Sequence, residues 1–388
     1  MVAYTFYEDD TRVRRYAEAL AQRGDEVDAI ALRGEKDDAR GVIQGVNIYR
    51  IQKRVRNERG KFAYLRRLLL FFVKSFFLLS RLHMKRRYDV VHVHNVPDFE
   101  VFAALVPKIT GAKVILDIHD ILPEFYANKF HARTDSGIFK ALLLIEKVST
   151  AFSDHVIISN HIWGERLRSR GVKSDKCSVS MNYPDSSVFF PRGGRRKGDR
   201  VVLIYPGSLN FHQGVDIAIK AFAIASRSLP LAEFHIYGEG NERGNLEKLA
   251  ADLNVSDKVR FMGWLPVDQI VDRMASTDIG IVPKRDDSFG GEAFSTKIWE
   301  FMSVGIPVIV SRTRIDRYYF DESIVRFFTP GDEASLAASI VSLAKDQEAR
   351  EELVSNAGKY IQDKSWEKRK GEYFELLETL TTGNGRIS

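Results

Sequence analysis

Residues 279–310 read IGIVPKRDDSFGGEAFSTKIWEFMSVGIPVIV. An apolar run, Ile279–Val282, stops at Pro283, and a polar loop with two glycines, Lys284–Gly291, brings Glu292 to the mouth of a helical pattern. That pattern turns Phe294, Ile298, Phe301 and Met302 inward and ends at Gly305-Ile306-Pro307, a glycine and proline stop. A second apolar run, Pro307–Val310, follows. Strand, loop, helix and strand in this order build a parallel sheet, and ligands of such sheets sit where loops leave the carboxyl ends of the strands. Glu292 and Glu300 stand eight positions apart. On one helix they would lie ~12 Å apart along the axis and roughly 80° apart around it, on adjoining faces. Alone, the pair reads as two solvated helix glutamates. Gly290-Gly291 and the buried strand ahead of them favour a site.

The rest of the 388-residue chain agrees with that fragment. Its length suits two or three domains with ample cores, and 44% hydrophobic with 28% charged residues is an ordinary globular composition. A net charge of +6 and a pI near 9.1 suit phosphate-bearing ligands or an anionic membrane face. No nucleic-acid reader motif is present, and the basic residues lack interleaved aromatics. The single cysteine, Cys177, excludes an internal disulfide framework and fits a reducing compartment. Met1–Asp10 shows no secretory pattern, so a cytoplasmic location is expected.

Along the chain, Val2–Phe6 is a short strand and Val13–Arg23 a helix, with Asp10 or Thr11 as N-cap and Gly24 as its stop. Strands are expected over 26–32, 88–94, 113–118, 154–159, 178–181, 201–205, 234–237 and 259–263, and helices over 137–152, 245–253 and 366–380. Residues 61–87 are apolar through their middle, but Lys74 leaves runs too short to span a bilayer. As a helix, this stretch puts Arg67, Lys74 and Arg81 on one basic stripe, opposite a spine of Leu65, Leu69, Phe72, Phe76 and Leu79. It reads as a helix lying in a membrane interface or as a buried amphipathic helix with a basic rim. The width of its apolar face favours the first. His119 and Asp120 follow the strand 113–118, where functional loops project, and His119 is either a structural hydrogen-bonding residue or a working one. His92 and His94 share a strand face, but no third group at ligand spacing is visible, so no metal is expected. Pro191–Lys197 and Gly198 are glycine-rich and basic, a linker by composition, and the tail from Thr381 reads as frayed.

Glu292-x7-Glu300 followed by Phe301-Met302-Ser303-Val304-Gly305-Ile306-Pro307 resembles the signature of family 4 retaining glycosyltransferases of the polysaccharide and lipid-linked glycan type. Ser295-Thr296-Lys297-Ile298-Trp299-Glu300 resembles a variant of the same motif. The resemblance implies an α/β, GT-B architecture: two doubly wound Rossmann-like domains facing a central cleft. An acceptor-side domain would span 1–190, a linker 191–200, and a donor domain 201–365, with the 366–380 helix packing back on the first. It also implies metal-independent transfer, with retention, of a hexose or related sugar from a nucleotide-diphosphate-sugar, which is a donor substrate and not a cofactor. The acceptor would be a lipid-linked or membrane-surface glycan, which places the protein peripherally on the inner face of the cell membrane.

The resemblance also implies site residues. Glu300 would bond the donor ribose, Glu292 would approach the donor sugar, and His119 would hold another sugar hydroxyl. The loop Pro206-Gly207-Ser208-Leu209 and the helix start at Val215 would take the diphosphate through backbone amides. In the family this loop carries an Arg and a Lys, but here those positions are Ser208 and Gln213. His212, Lys284, Arg285 and Lys297 are the substitute cations, with Lys297 foremost because it lies on the Glu292–Glu300 segment. Gly238, Arg260 and Phe261 fall in the base-binding region, and Asp10, Arg12, Asn95 and Asp98 on the acceptor side. Two other readings remain at this point: a nucleotide-sugar epimerase on the same architecture, or a non-catalytic, membrane-docked nucleotide-sugar binder.

Overall fold

The computed structural model describes residues 1–54, 61–130, 133, 135–192 and 200–382. Most of the expected linker and the tail beyond Thr382 lie outside these residues, while Thr381 and Thr382 themselves are helical. The chain forms two compact units, Met1–Asn182 with the residues from Lys370 onward, and Tyr183–Arg369. The division falls at Asn182/Tyr183, ahead of the 191–200 stretch.

In the first unit, β1 (Val2–Phe6) leads to α1 (Thr11–Arg23), β2 (Asp28–Arg33), β3 (Arg40–Ile43), β4 (Val46–Lys53), α2 (Lys61–Lys85) and β5 (Val90–His94). Then come α3 (Leu105–Ile109), β6 (Lys113–Ile118), α4 (Leu122–Phe130), α5 (Gly137–Phe152), β7 (His155–Ile158), α6 (His161–Ser169) and β8 (Cys177–Val179). The sheet runs in the order β3-β4-β2-β1-β5-β6-β7-β8 and is parallel except for the β3–β4 hairpin. The sequence reading had left that hairpin unassigned. Its turn is Gln44-Gly45, with φ of 49° and 82°, the left-handed pair that a two-residue hairpin turn needs. β5, β6 and β7 are short apolar runs buried along most of their length, as in a parallel sheet covered on both faces. Asp10 settles the cap of α1 by accepting from the N–H groups of Arg12 and Val13, and Gly24 closes it at φ 100°.

In the second unit, β9 (Val202–Pro206), α7 (Val215–Ala225), β10 (Glu233–Tyr237), α8 (Arg243–Asp252), β11 (Val259–Gly263), α9 (Val267–Ala275) and β12 (Ile279–Val282) alternate regularly. The quoted segment continues as α10 (Thr296–Val304) and β13 (Val308–Ser311), followed by α11 (Arg314–Tyr319), β14 (Arg326–Phe328), α12 (Glu333–Lys345) and α13 (Gln347–Ile361). The sheet order β11-β10-β9-β12-β13-β14 is parallel throughout. Its core gathers Leu203, Ile219, Phe222, Phe234, Ile281, Leu336 and Ile340. The last helix, α14 (Trp366–Thr382), belongs to this unit through Arg369 and to the first unit from Lys370, where the Tyr373 hydroxyl meets His92 Nδ1 at 2.8 Å.

Two expectations change here. α10 begins at Thr296, so Glu292 is a loop residue, and the helical separation supposed for the two glutamates does not apply. On α2, Leu68, Phe71, Ser75 and Leu79 are buried, whereas Leu65 and Leu69 of the expected spine are exposed and Phe72 and Phe76 are half-buried. The helix is rolled by roughly a quarter turn from the expected orientation.

The short 3-10 segment Asp98–Ala104 packs against α2 and α5 and carries Glu100, which is fully buried. Neither carboxyl oxygen has a hydrogen-bond partner among the described residues, and the neighbouring Ser75 hydroxyl donates to Phe71 O. Burial pushes Glu100 up to about 8 from an ordinary 4.5. A raised acid is neutral in the fold while the unfolded chain ionises, so its penalty grows as pH climbs between those two values. Glu100→Gln should therefore stabilise the protein by an amount that rises from pH 5 to pH 8 and then levels off, on the order of 3 kcal/mol. Urea midpoints across that range measure it, and a pH-independent difference would contradict the assignment.

Candidate functional site

In the second unit, the loops after β9, β10 and β11 stack backbone on backbone. Gly207 N–H donates to Tyr237 O at 2.8 Å and Gly238 N–H to Gly263 O at 2.8 Å. At Gly238, with φ 137°, a Cβ would lie 1.9 Å from Gly207 O, so no side chain fits. At Gly207 the obstacle is a side chain: a Cβ would stand 2.2 Å from Lys297 Cε. The bare glycine gives Lys297 a path across the turn to Gln213 Oε1, 3.4 Å from its Nζ. Tyr205 OH donates to Ser208 O at 2.8 Å and lies 3.2 Å from Gln213 Oε1, which ties the same loop together. Burial lowers the Lys297 pKa against the pull of Glu300, and burial raises that of Glu300 against Thr296 and Lys297. The first turn of α7, behind the left-handed Gly214, carries no side-chain cap among the described residues, while Ile217 N–H donates to Gly214 O at 3.0 Å.

Other cations named from the sequence are already committed. Lys284 is 5% exposed, and its Nζ contacts Asp316 Oδ2 at 3.0 Å and donates to Ala293 O at 2.7 Å. Arg285 forks onto both oxygens of Asp216 at 2.8 and 2.7 Å and stacks over Phe211. His212, its pKa lowered by burial, sits 3.0 Å from Gln213 Nε2 and edge-on to Phe289. Lys284 thus holds the backbone beside Glu292 and is not a free phosphate ligand. Glu292 is nearly buried and receives Arg314 Nη1 on Oε1 at 2.8 Å. Arg314 and Asp316, on α11, went unnoticed in the sequence because no local pattern sets them apart. Ser208 is exposed at the turn, Arg260 is exposed on the edge strand β11, and Phe261 packs partly against the core.

In the first unit, His119 lies just beyond β6, one-fifth exposed, with its N–H donating to Asn95 Oδ1 at 2.8 Å. Asn95 Nδ2 donates in turn to Asp98 Oδ1 at 2.9 Å and Asp120 O at 2.8 Å. Asn95 and Asp98 are both buried, and burial pushes Asp98 up to about 6. They brace the His119 loop, which corrects their placement as acceptor contacts. Arg12 is corrected likewise. It is buried, with Nε and Nη2 donating to Asp117 at 2.8 and 2.6 Å and Nη1 to Ser180 O and Asn182 Oδ1, each at 2.8 Å. Asp10 caps α1.

Asp117, near the end of strand β6, is the centre of this array. Its Oδ2 lies 3.7 Å from His92 Nε2, 3.2 Å from His94 Nδ1 and 3.3 Å from His119 Nε2. Burial works to raise its pKa, but Arg12, with His119 and His92, overrides that and holds the carboxyl well below the usual range. Burial keeps His92 and His94 below theirs, His94 strongly so. The third group missing from the metal argument therefore exists, brought by the β5–β6 pairing that sets His94 opposite Asp117. Both of its oxygens already accept from a guanidinium, a permanent cation where a metal's charge would fall.

Comparison with known proteins adds a second line of observation. The family described as Glycosyl transferases group 1 matches residues 189–360, and the Glycosyl transferase 4-like domain matches residues 10–182. A D-inositol 3-phosphate glycosyltransferase of Thermomonospora curvata is 23% identical over 96% of this chain and 90% of its own. Among solved structures, a sucrose-phosphate synthase from Thermosynechococcus elongatus superposes with a TM-score of 0.81 at 18% identity, covering 99% of each chain. The Anabaena protein HepE, in complex with UDP and glucose, gives 0.72 at 16% identity, covering 97% of this chain and 98% of its own.

The Lys284 assignment is testable without substrate. Lys284→Met should cost about 3–5 kcal/mol in urea unfolding, because Asp316 would remain buried beside one oxygen that already lacks a partner. Pairing it with Asp316→Leu should recover most of the loss.

Proposed function

The chain belongs to the group 1, 4-like glycosyltransferase family of GT-B fold, and from that premise we propose that it transfers a sugar, with retention and without a metal, from a nucleotide-diphosphate-sugar to a lipid-linked or membrane-surface glycan. The observation that carries the donor half is Lys297 lying across bare Gly207, beside Glu300 and the uncapped start of α7. An ammonium and backbone amides converging on one glycine turn suit a diphosphate, and Glu300 on the same helix suits ribose hydroxyls. The UDP bound to the HepE neighbour supports the same class of donor. As the diphosphate leaves, its charge would be met by Lys297 and the α7 amides. Glu292, oriented by Arg314 and by the Lys284-held Ala293 carbonyl, would approach the sugar. His119 is the sugar-facing group of the first unit on this reading.

The acceptor half rests on α2. Leu65, Leu69, Leu70, Val73, Phe77 and Met84 are exposed along it, edged by exposed Arg66, Lys74, Arg81 and Lys85, and α3 beside it adds Leu105 and Ile109. Arg67 of the expected stripe is half-buried. No helix of the described residues is long and apolar enough to cross a membrane. An apolar face with a cationic edge suits an anionic bilayer surface, with lysine and arginine stems reaching the head groups.

Incubation with a panel of nucleotide-sugars, with and without lipid acceptors, tests the activity. Nucleotide release that depends on a lipid acceptor is expected, whereas isomerised donor would indicate an epimerase, and binding without turnover a binder. Glu300→Ala should weaken UDP binding by about tenfold in calorimetry, and Glu292→Ala should lower kcat by about 100-fold. If both variants match the wild type, the second-unit site is wrong. For the surface, Leu69→Ser, Val73→Ser and Phe77→Ser together should reduce sedimentation with anionic vesicles at least about tenfold while leaving urea stability nearly unchanged.

A further inference from the structure

We infer that Asp117, clamped by Arg12, is the positioning residue that sets the tautomer of His119, so that the imidazole presents Nδ1 as a hydrogen-bond acceptor to the sugar. This rests on the reading of His119 as the sugar-facing group. The geometry is asymmetric. Both Asp117 oxygens already accept from Arg12, and Oδ2 also lies 3.3 Å from His119 Nε2 and 3.2 Å from His94 Nδ1. An ionised carboxylate has no hydrogen to donate, so the ring nitrogen facing it must carry one. Placing the proton on Nδ1 of His119 would set a nitrogen lone pair against a buried carboxylate oxygen, where water screens that repulsion little.

His94 does not reverse the choice. Its Nδ1 stands 3.1 Å from His119 Nε2, close enough either to accept from that N–H or to donate beside it to Asp117. Both arrangements keep the proton on His119 Nε2; the third, His94 Nδ1–H donating to a bare Nε2, turns that lone pair toward Asp117 Oδ2 at 3.3 Å, which the carboxylate disfavours. His94 and His92 stay neutral because burial opposes their charging, so neither supplies a competing cation. The main chain fixes the ring from the other side, with Asn95 holding the His119 N–H and Ser159 Oγ donating to its carbonyl at 2.7 Å. With Nε2–H committed inward, Nδ1 is the nitrogen left to meet a ligand. A sugar hydroxyl then donates to it. Any positive charge that develops on the ring is stabilised by the same carboxylate, the way an acid behind a histidine orients and supports it.

Two-bond proton–nitrogen correlation spectra of the full chain with ¹⁵N-labelled histidine, assigned through His119→Gln, should show His119 in the Nε2–H form. A wild-type ring in the Nδ1–H form, or an even mixture, overturns the inference without needing any variant of Asp117 to fold. In Asp117→Asn, the amide can turn an N–H toward the ring, and the preference should be lost. On whichever of UDP-glucose and GDP-mannose is turned over, kcat should then fall about 10–100-fold while the donor KM moves less than about threefold. Asp117→Glu should restore part of the rate. Full kcat in Asp117→Asn, alongside a dead His119→Ala, would sink the positioning role. Full activity in His119→Ala would instead sink the sugar-facing reading, while the spectra still decide the tautomer.

Discussion

A guanidinium and a carboxylate shut away from water organise the first unit. Asp117 is fully buried, and an unpaired charge there would cost several kcal/mol. Arg12 meets it with two parallel hydrogen bonds and spends its remaining terminal nitrogen on Ser180 O and Asn182 Oδ1. One side chain therefore ties the start of α1, the end of β6 and the segment leaving β8. Those are carboxyl-end loops of a parallel sheet, the part of such a fold that carries chemistry. Replacement of the pair by apolar residues could hold these loops equally well, since buried ion pairs are weak sources of stability. What an apolar pair could not do is give the histidines around it a fixed acceptor.

The second unit solves a related problem with different means. The turns after its β9 and β10 are made from backbone brought so close that Gly238 has no space for a Cβ, and Lys297 is laid over Gly207. Nearby cations are withdrawn from ligand duty by acids: Lys284 by Asp316 and Arg285 by Asp216. Withdrawal has a use. The Lys284 ammonium pins the Ala293 carbonyl, and with it the loop on which Glu292 meets Arg314. Among the cations named at this site, Lys284 and Arg285 hold the loops, while Lys297 reaches across the turn to Gln213.

α2 shows how composition and fold divide the work. It is apolar nearly all round, which a helix at a domain surface rarely is. The sheet and the Asp98–Ala104 segment take Leu68, Phe71 and Leu79. That leaves a second apolar side exposed among the described residues, with its cations at the edge. The same packing traps Glu100 beneath the helix in its neutral form.

Local rules determined a good deal of this protein. The bounds of β6, α5, β11 and β12 agree with the sequence reading because apolar runs, serine caps and glycine or proline stops act within a few residues of themselves. The Glu292–Pro307 pattern likewise disclosed the family, since its spacing is written along one continuous segment. Other outcomes depended on residues far apart in the chain. Which of the named cations are held in ion pairs was decided by Asp316, on Lys284, and Asp216, on Arg285, which no local pattern connects to the loop. Asp117, two positions before His119, took its own ion-pair partner from 105 positions away, and strand pairing brought His94 to both. The roll of α2 followed from the surface it packs on, because its apolar arc is wider than the face the unit buries. Periodicity and caps are properties of a segment, whereas ionisation, tautomer and exposure belong to the surroundings that only the folded chain assembles.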